Sequence, residues 1–160
     1  MLFYADVANA PHWLHGHERD QIVLTDPPHL DCYESPEEHL VFTQRWLRVA
    51  LQFNSLIHTC GADPRELSNY LSAATPDEIW VWPQTEGHHF VLGYHVDEPR
   101  GAVNPWTKPF GYAAYIAHGD RILDPFCGRG DTLQAARAAG AHIWQGCDIN
   151  PESVAYVRSL

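Results

Sequence analysis

The segment Arg121-Ile-Leu-Asp-Pro-Phe-Cys-Gly-Arg-Gly-Asp-Thr132 constrains the fold more than any other part of the chain. A short apolar run breaks at Pro125, passes two glycines and enters the Ala-rich pattern Leu133-Gln-Ala-Ala-Arg-Ala-Ala139. This predicts a strand, a Gly-rich turn and a helix start. Glycines at such a turn let backbone approach a small molecule closely. The helix start adds unpaired N–H groups and a partial positive charge. A second apolar run, Ile143 to Cys147, follows and closes on Asp148, where a carboxylate at a strand tip can hold ribose hydroxyls. The combination reads as a nucleoside-type cofactor pocket. The spacing is Gly-x-Gly without the third glycine of the dinucleotide fingerprint, so a βαβ unit with a merely tight turn has the same appearance.

The remaining segments alternate in the same way. Leu2 to Tyr4 is a short strand signal. Gln21-Ile-Val-Leu-Thr25 is apolar and β-branched, as in a central parallel strand, and stops at Asp26-Pro-Pro-His29. Two prolines cannot continue a strand, so they make a rigid loop at its C-terminal end, where open α/β sheets place ligands. Ser35-Pro-Glu-Glu38 opens a helix whose apolar face is Leu40, Phe42, Trp46, Leu47, Val49, Ala50 and Phe53. Ser55 to Thr59 is a strand. Asp63-Pro-Arg-Glu66 opens a helix to about Ala73. Asp77 to Trp82 is a strand ended by Pro83, and His89 to His95 pairs with it antiparallel. Asp97 to Trp106 is irregular, and Tyr112 to Ala117 is helical. Asn150-Pro-Glu152 starts a last helix that runs to Leu160. Alternating strands and helices predict one three-layer α/β domain over residues 1–160, with a mostly parallel sheet and one antiparallel strand.

Composition bounds the partners. No stretch approaches the roughly 20 apolar residues of a membrane span, and Met1 to Asp6 lacks the regions of a secretion signal. A cytoplasmic location is therefore expected. Cys32, Cys60, Cys127 and Cys147 form no CxxC pair, so reduced and mostly buried thiols are expected. His12, His15 and His17 have a spacing that resembles metal ligands, but no Cys or carboxylate set completes it, and no metal is expected. The formal net charge is −10, with only ten Lys and Arg. A protein gripping duplex nucleic acid by itself usually carries a basic face.

Three segments in order, Asp26-Pro-Pro-His29, Thr107-Lys-Pro109 and Asp124-Pro-Phe-Cys-Gly-Arg-Gly130 with Asp148-Ile-Asn-Pro151, resemble the β-class, circularly permuted amino-methyltransferases of DNA. That family methylates adenine N6 or cytosine N4. Tyr4-Ala-Asp6 matches the family's usual start, and the resemblance covers nearly the whole chain. It implies a single Rossmann-like methyltransferase domain, with the strand after the last helix supplied by the N-terminus. It implies S-adenosylmethionine as methyl donor. The cofactor contacts it implies are Asp6, Thr25, Asp26, Lys108, Pro109, Asp124, Phe126, Cys127, Gly128, Gly130, Thr132, Asp148 and Ile149. The catalytic residues it implies are Asp26, Pro27, Pro28 and His29. Asp26 and the Pro27 carbonyl would accept hydrogen bonds from the target amine, and Asp rather than Ser before Pro-Pro favours adenine. A duplex base would have to be flipped out.

Two departures stand out. His29 occupies the place of the aromatic residue that stacks on the flipped base. Residues 30–107 are nearly consumed by the core elements, leaving no room for an inserted recognition domain. Arg129 and Asp131 also replace the small or hydroxyl residues common in that loop. With the charge of −10, these departures leave three readings. The chain acts on DNA as a homodimer or with a basic partner protein; it acts on single strands or a small nucleotide; or it binds cofactor as a regulatory relative without transfer.

Overall fold

A computed structural model describes residues 2–4, 21–84, 87–96, 116 and 119–159, with side chains described outside residues 2–4 and 82–88. The elements are β1 (Leu2–Tyr4), β2 (Ile22–Thr25), a 3-10 turn (Leu30–Cys32), α1 (Pro36–Ala50), β3 (Ser55–Cys60), α2 (Pro64–Ala73), β4 (Glu78–Gln84), β5 (Gly87–Tyr94), β6 (Arg121–Asp124), α3 (Asp131–Ala138), β7 (Ile143–Asp148) and α4 (Pro151–Arg158). The expected irregular segment 97–106, the helix 112–117 and the His12/His15/His17 cluster lie outside the described residues, except for Ile116.

The sheet has seven strands in the order β1-β7-β6-β2-β3-β5-β4. Pairing is parallel from β1 through β3, and β5 runs antiparallel to both β3 and β4. The mostly parallel sheet with one reversed strand is as expected. β2 is buried along its whole length because helices cover both faces. Val23, Leu56, Leu92, Leu123 and Cys147 face Trp46, Leu47, Ala50 and Tyr70 of α1 and α2. Ile22, Leu24, Ile57, Val91 and Ile122 face Ala135 and Ala136 of α3. The alternation of Val23 with Ile22 and Leu24 is the period of two along a strand, here apolar on both sides.

Local signals set the helix starts. Ser35 accepts from Glu38 N, Asp63 from Arg65 N and Asn150 from Glu152 N, and each cap is followed by Pro at the first helical position.

Two expectations need correction. β4 does not stop before Pro83 but runs through it to Gln84. β4 is an edge strand paired only with β5, so the missing N–H of proline costs no ladder bond there. The buried face of α1 is His39, Thr43, Trp46, Leu47 and Ala50, whereas Leu40 and Phe42 are only partly buried. His39 is accommodated because Asn69 of α2 reaches its Nδ1 at 3.0 Å. Of the cysteines, Cys60, Cys127 and Cys147 are buried and Cys32 is exposed. Among the described residues, no helix is long and apolar enough to cross a membrane, and no cluster of His, Cys, Asp or Glu could hold a metal ion.

Candidate active site

The strand order places the site. β6 and β2 are parallel neighbours, but the chain leaves them in opposite directions. From β6 it crosses through α3 on one face to β7. From β2 it crosses through α1 on the other face to β3. This is a topological switch point, which opens a crevice beyond the strand C-termini. There the loop after β2 and the Gly-rich turn after β6 meet around a cavity of about 200 Å³, lined by Asp26, Asp124, Phe126, Cys127, Gly128, Arg129, Asp131 and Thr132. A larger hollow of about 460 Å³ lies on the outer side of α1, between Tyr33, Val41, Phe42 and Arg45. It is mostly apolar and lies off the strand ends, so the smaller cavity, with its convergent polar groups, is the candidate site.

The turn is shaped by two left-handed glycines, Gly128 with φ 47° and Gly130 with φ 83°. A Cβ at Gly128 would meet nothing within 4 Å, so its backbone lies open to approach. Gly130 also starts α3. Of the four described α-helices, α3 alone has no side-chain cap, so its first N–H groups are left for another acceptor at the cavity edge. Asp148, at the tip of β7, fixes the turn from the side. Its Oδ2 accepts from Gly128 N at 2.8 Å and its Oδ1 from Asn150 N at 2.7 Å.

Asp124 is the buried hub between the two loops. Its Oδ1 accepts from the Thr25 hydroxyl at 2.5 Å and from Phe126 N at 3.1 Å, and the Thr132 hydroxyl also bonds it. Burial pushes its carboxyl up to about 7, against the opposing pull of these donors. A carboxyl raised in the folded state holds its proton where the unfolded chain has lost it. Stability should therefore fall as pH rises from about 4 to about 7. Asp124→Asn is expected to remove this slope. Its stability relative to wild type should improve by about 4 kcal/mol across the window, read by denaturant titration at several pH values.

Asp26 follows β2. Its Oδ1 accepts a hydrogen bond from the Thr59 hydroxyl at the end of β3 and lies 3.5 Å from His29 Nε2. The other ring nitrogen of His29, Nδ1, lies 2.9 Å from Glu66 Oε1. Glu66 is a site residue that sequence reasoning missed. As an acid in the first turn of α2 it reads as an ordinary dipole complement. Instead it is buried and accepts from Gly61 N at 2.6 Å and Leu30 N at 2.9 Å. Burial pushes its carboxyl up, but the bonds from His29, Gly61 and Leu30 win and hold it down at about 2. Its contribution to stability is complete above about pH 4.5 and is lost as pH falls toward 2.

The other expected residues are placed as follows. Thr25 is wholly buried, with its hydroxyl on Asp124. Phe126 lines the cavity and packs on Phe42 and Trp46, at ring-centroid distances of 5.7 and 5.4 Å. Ile149 is exposed beside Asp148. Asp6, Lys108 and Pro109 lie outside the described residues.

No protein-family model matches the sequence, and no curated protein matches it. Solved structures match it over nearly its whole length. M1.HpyAVI, in its complex with SAM, superposes with a TM-score of 0.64 at 13% identity, covering 99% of this chain and 97% of that one. TTHA0409, a candidate DNA modification methylase from Thermus thermophilus, gives 0.71 at 16% identity, covering 99% and 92%. It is also known complexed with S-adenosyl-L-methionine. The PvuII cytosine-N4-specific DNA methyltransferase gives 0.64 at 13% identity, covering 98% and 84%. The chain has the fold of these proteins.

Proposed function

We propose that this chain is an S-adenosylmethionine-dependent methyltransferase acting on an exocyclic amino nitrogen of a DNA base, adenine N6 ahead of cytosine N4. The observation that carries the reading is that Asp26 and the Gly128 turn open onto one cavity at the switch point between β2 and β6. Residues 1–160 then form one domain of the circularly permuted order, with β1 supplying the strand beside β7. Among the neighbours in fold, TTHA0409 is described as a candidate DNA modification methylase and the PvuII protein as a DNA methyltransferase, and M1.HpyAVI and TTHA0409 are solved with this cofactor, which supports the same reading.

The residues fit such a donor. Gly128 offers exposed backbone, the α3 start offers unpaired N–H groups, and Asp148 is held as an acceptor at the strand tip. Asp148 would take the ribose hydroxyls. The turn from Phe126 to Gly130, with Asp124 and Thr132 behind it, would hold the methionine and ribose portion. Ile149, Asp6, Thr25, Lys108 and Pro109 complete the proposed set. When bound, the cofactor supplies an electrophilic methyl group on a sulfonium. Asp26 and the Pro27 carbonyl each accept one N–H of the target amine, which turns its lone pair toward that methyl. The rigid Pro27-Pro28 pair keeps the geometry. Asp26 need not be a strong base, because the nitrogen becomes acidic only after it has gained the methyl group.

A net charge of −10 argues for a basic partner protein, a homodimer that gathers its few Arg residues, or a single-stranded or nucleotide acceptor. A second reading, a regulatory relative that binds cofactor without transfer, is favoured by one observation: the His29 ring is held by Glu66 and Asp26 where the family presents a stacking aromatic. One experiment decides between them. The protein is incubated with labelled cofactor and duplex DNA, single-stranded DNA or nucleotides, and the digested products are analysed for methylated nucleosides. Cofactor binding with no transfer to any acceptor would sink the enzyme reading. Asp148→Ala is expected to raise the cofactor dissociation constant by about 10- to 100-fold by calorimetry, the scale of losing hydrogen bonds to a charged group. Transfer at saturating cofactor should be retained.

A further inference from the structure

We infer that the outer face of α1 is where two copies of this chain meet, α1 lying antiparallel to its copy about a two-fold axis beside Val41. The outward row of the helix is Glu37, Val41 and Arg45, spaced four residues apart and all exposed. Residues at that spacing lie one above the other and form a ridge. Val41, in the middle of the ridge, is apolar and 48% exposed. An acid stands one turn to one side of it and a base one turn to the other.

That row is complementary to its own reverse. A two-fold contact is isologous, so where one residue meets a second, the second meets the first. With the axis beside Val41, Glu37 of each copy faces Arg45 of the other. The same operation sets Glu38 against Gln44, and brings Glu34, just before the helix, near Arg48 in its last turn; all four are exposed. An acid meets a base or an amide at each place, and the two helix dipoles run in opposite senses. A parallel pair would instead set Glu37 on Glu37 and Arg45 on Arg45, which like-charge repulsion penalises. Within one helix, Glu37 and Arg45 are about 12 Å apart along the axis and do not reach each other. Among the described residues, none forms an ion pair with Glu37, Arg45 or Arg48.

Shape agrees with charge. Beside the ridge lies the hollow of about 460 Å³, walled by Phe42 and Tyr33, whose ring centroids are 5.3 Å apart. A ridge flanked by a hollow packs into the hollow of its copy, so Val41 of each enters the other and covers these two partly buried rings. The polar groups on the rim are Glu37, Glu38 and Arg45, the same ones the copy pairs.

The net charge of −10 opposes the approach of two copies. At about 0.1 M salt that repulsion is screened beyond about 10 Å, whereas charges in contact are screened less. One helix from each copy makes an interface below the standard total of about 1,600 Å². A dissociation constant of about 1–100 µM is therefore expected. The contact lies close to the candidate site, since Phe42 packs on Phe126 of the Gly-rich turn at 5.7 Å between ring centroids. It requires neither cofactor nor acceptor, so it stands or falls apart from the methyltransferase reading.

Sedimentation equilibrium of the intact chain, from about 1 to 300 µM at about 0.1 M salt, tests it. Wild type should pass from monomer to dimer. Glu37→Arg and Arg45→Glu each place like charges at both symmetric contacts of a homodimer, and each should weaken association by about tenfold or more. Mixed in equal amounts, the two variants should form a heterodimer of near wild-type strength. The new base of one then faces the new acid of the other, and the remaining Glu37 faces the remaining Arg45. Both positions are exposed, so neither variant should lose its fold, and a misfolded chain could not give rescue on mixing. Wild type that stays monomeric throughout would overturn the inference and leave this face to a partner of another kind. A dimer that neither variant weakens would overturn it by placing the contact on another face. Variants that weaken association singly without rescue on mixing would overturn the antiparallel pairing.

Discussion

Asp26→Ala is expected to lower methyl transfer by about 10³-fold or more at saturating cofactor and DNA, the scale of removing a group that orients and stabilises a transition state. The cofactor dissociation constant should stay close to that of wild type, because the turn from Phe126 to Gly130 is held from Asp124 and Asp148, not from Asp26. The loss should appear in kcat, since the carboxylate's part is to aim a lone pair. Asp26→Asn retains an acceptor oxygen and the Thr59 contact, so it should lose distinctly less. Single-turnover transfer with labelled cofactor, alongside calorimetry, separates the two quantities. An alanine variant that transfers at the wild-type rate would place the chemistry elsewhere.

Trp46→Ala is expected to cost about 3–5 kcal/mol of stability, the range for truncating a large buried aromatic. Trp46 is 0% exposed at the centre of the core under the sheet. Its ring makes edge contacts with His58, Tyr70 and Phe126, at 5.1, 6.1 and 5.4 Å between centroids. The void would open between α1, α2 and β3 and also remove a support of Phe126, and with it the turn that lines the cavity. At about 2–4 °C per kcal/mol for a chain of this size, the melting midpoint should drop by roughly 10 °C or more. Cofactor affinity should weaken too, whereas truncating exposed Val41 on the outer side of α1 should change neither quantity appreciably.

Residues of the site divide by how far apart in sequence their partners are. The Gly128 turn, the Asp26-Pro-Pro loop and the capped helix starts at Ser35, Asp63 and Asn150 were legible, because turn chemistry and capping act within a few residues. Glu66 was not, because its meaning lies in Leu30, His29 and Gly61, which α2 meets only after β2 and β3 have paired. Thr25 is expected among the cofactor contacts, but that its hydroxyl sits on Asp124, 99 positions away, depends on the pairing of β2 with β6 and was not legible. Pro83 looked like a strand end, because only sheet order reveals that β4 is an edge where its missing donor is harmless.

By itself the sequence determined an alternating α/β chain with a Gly-rich turn after one strand and a rigid acidic loop after another. Periodicity and turn propensity are local and survive in any tertiary context. Tertiary structure decided that β6 and β2 are neighbours from which the chain departs in opposite directions, so that the two loops face one cavity. It also decided that His29 sits between two carboxylates. Both depend on strand order and on the burial of Glu66, which follow from how whole faces of the sheet are covered and not from any spacing along the chain.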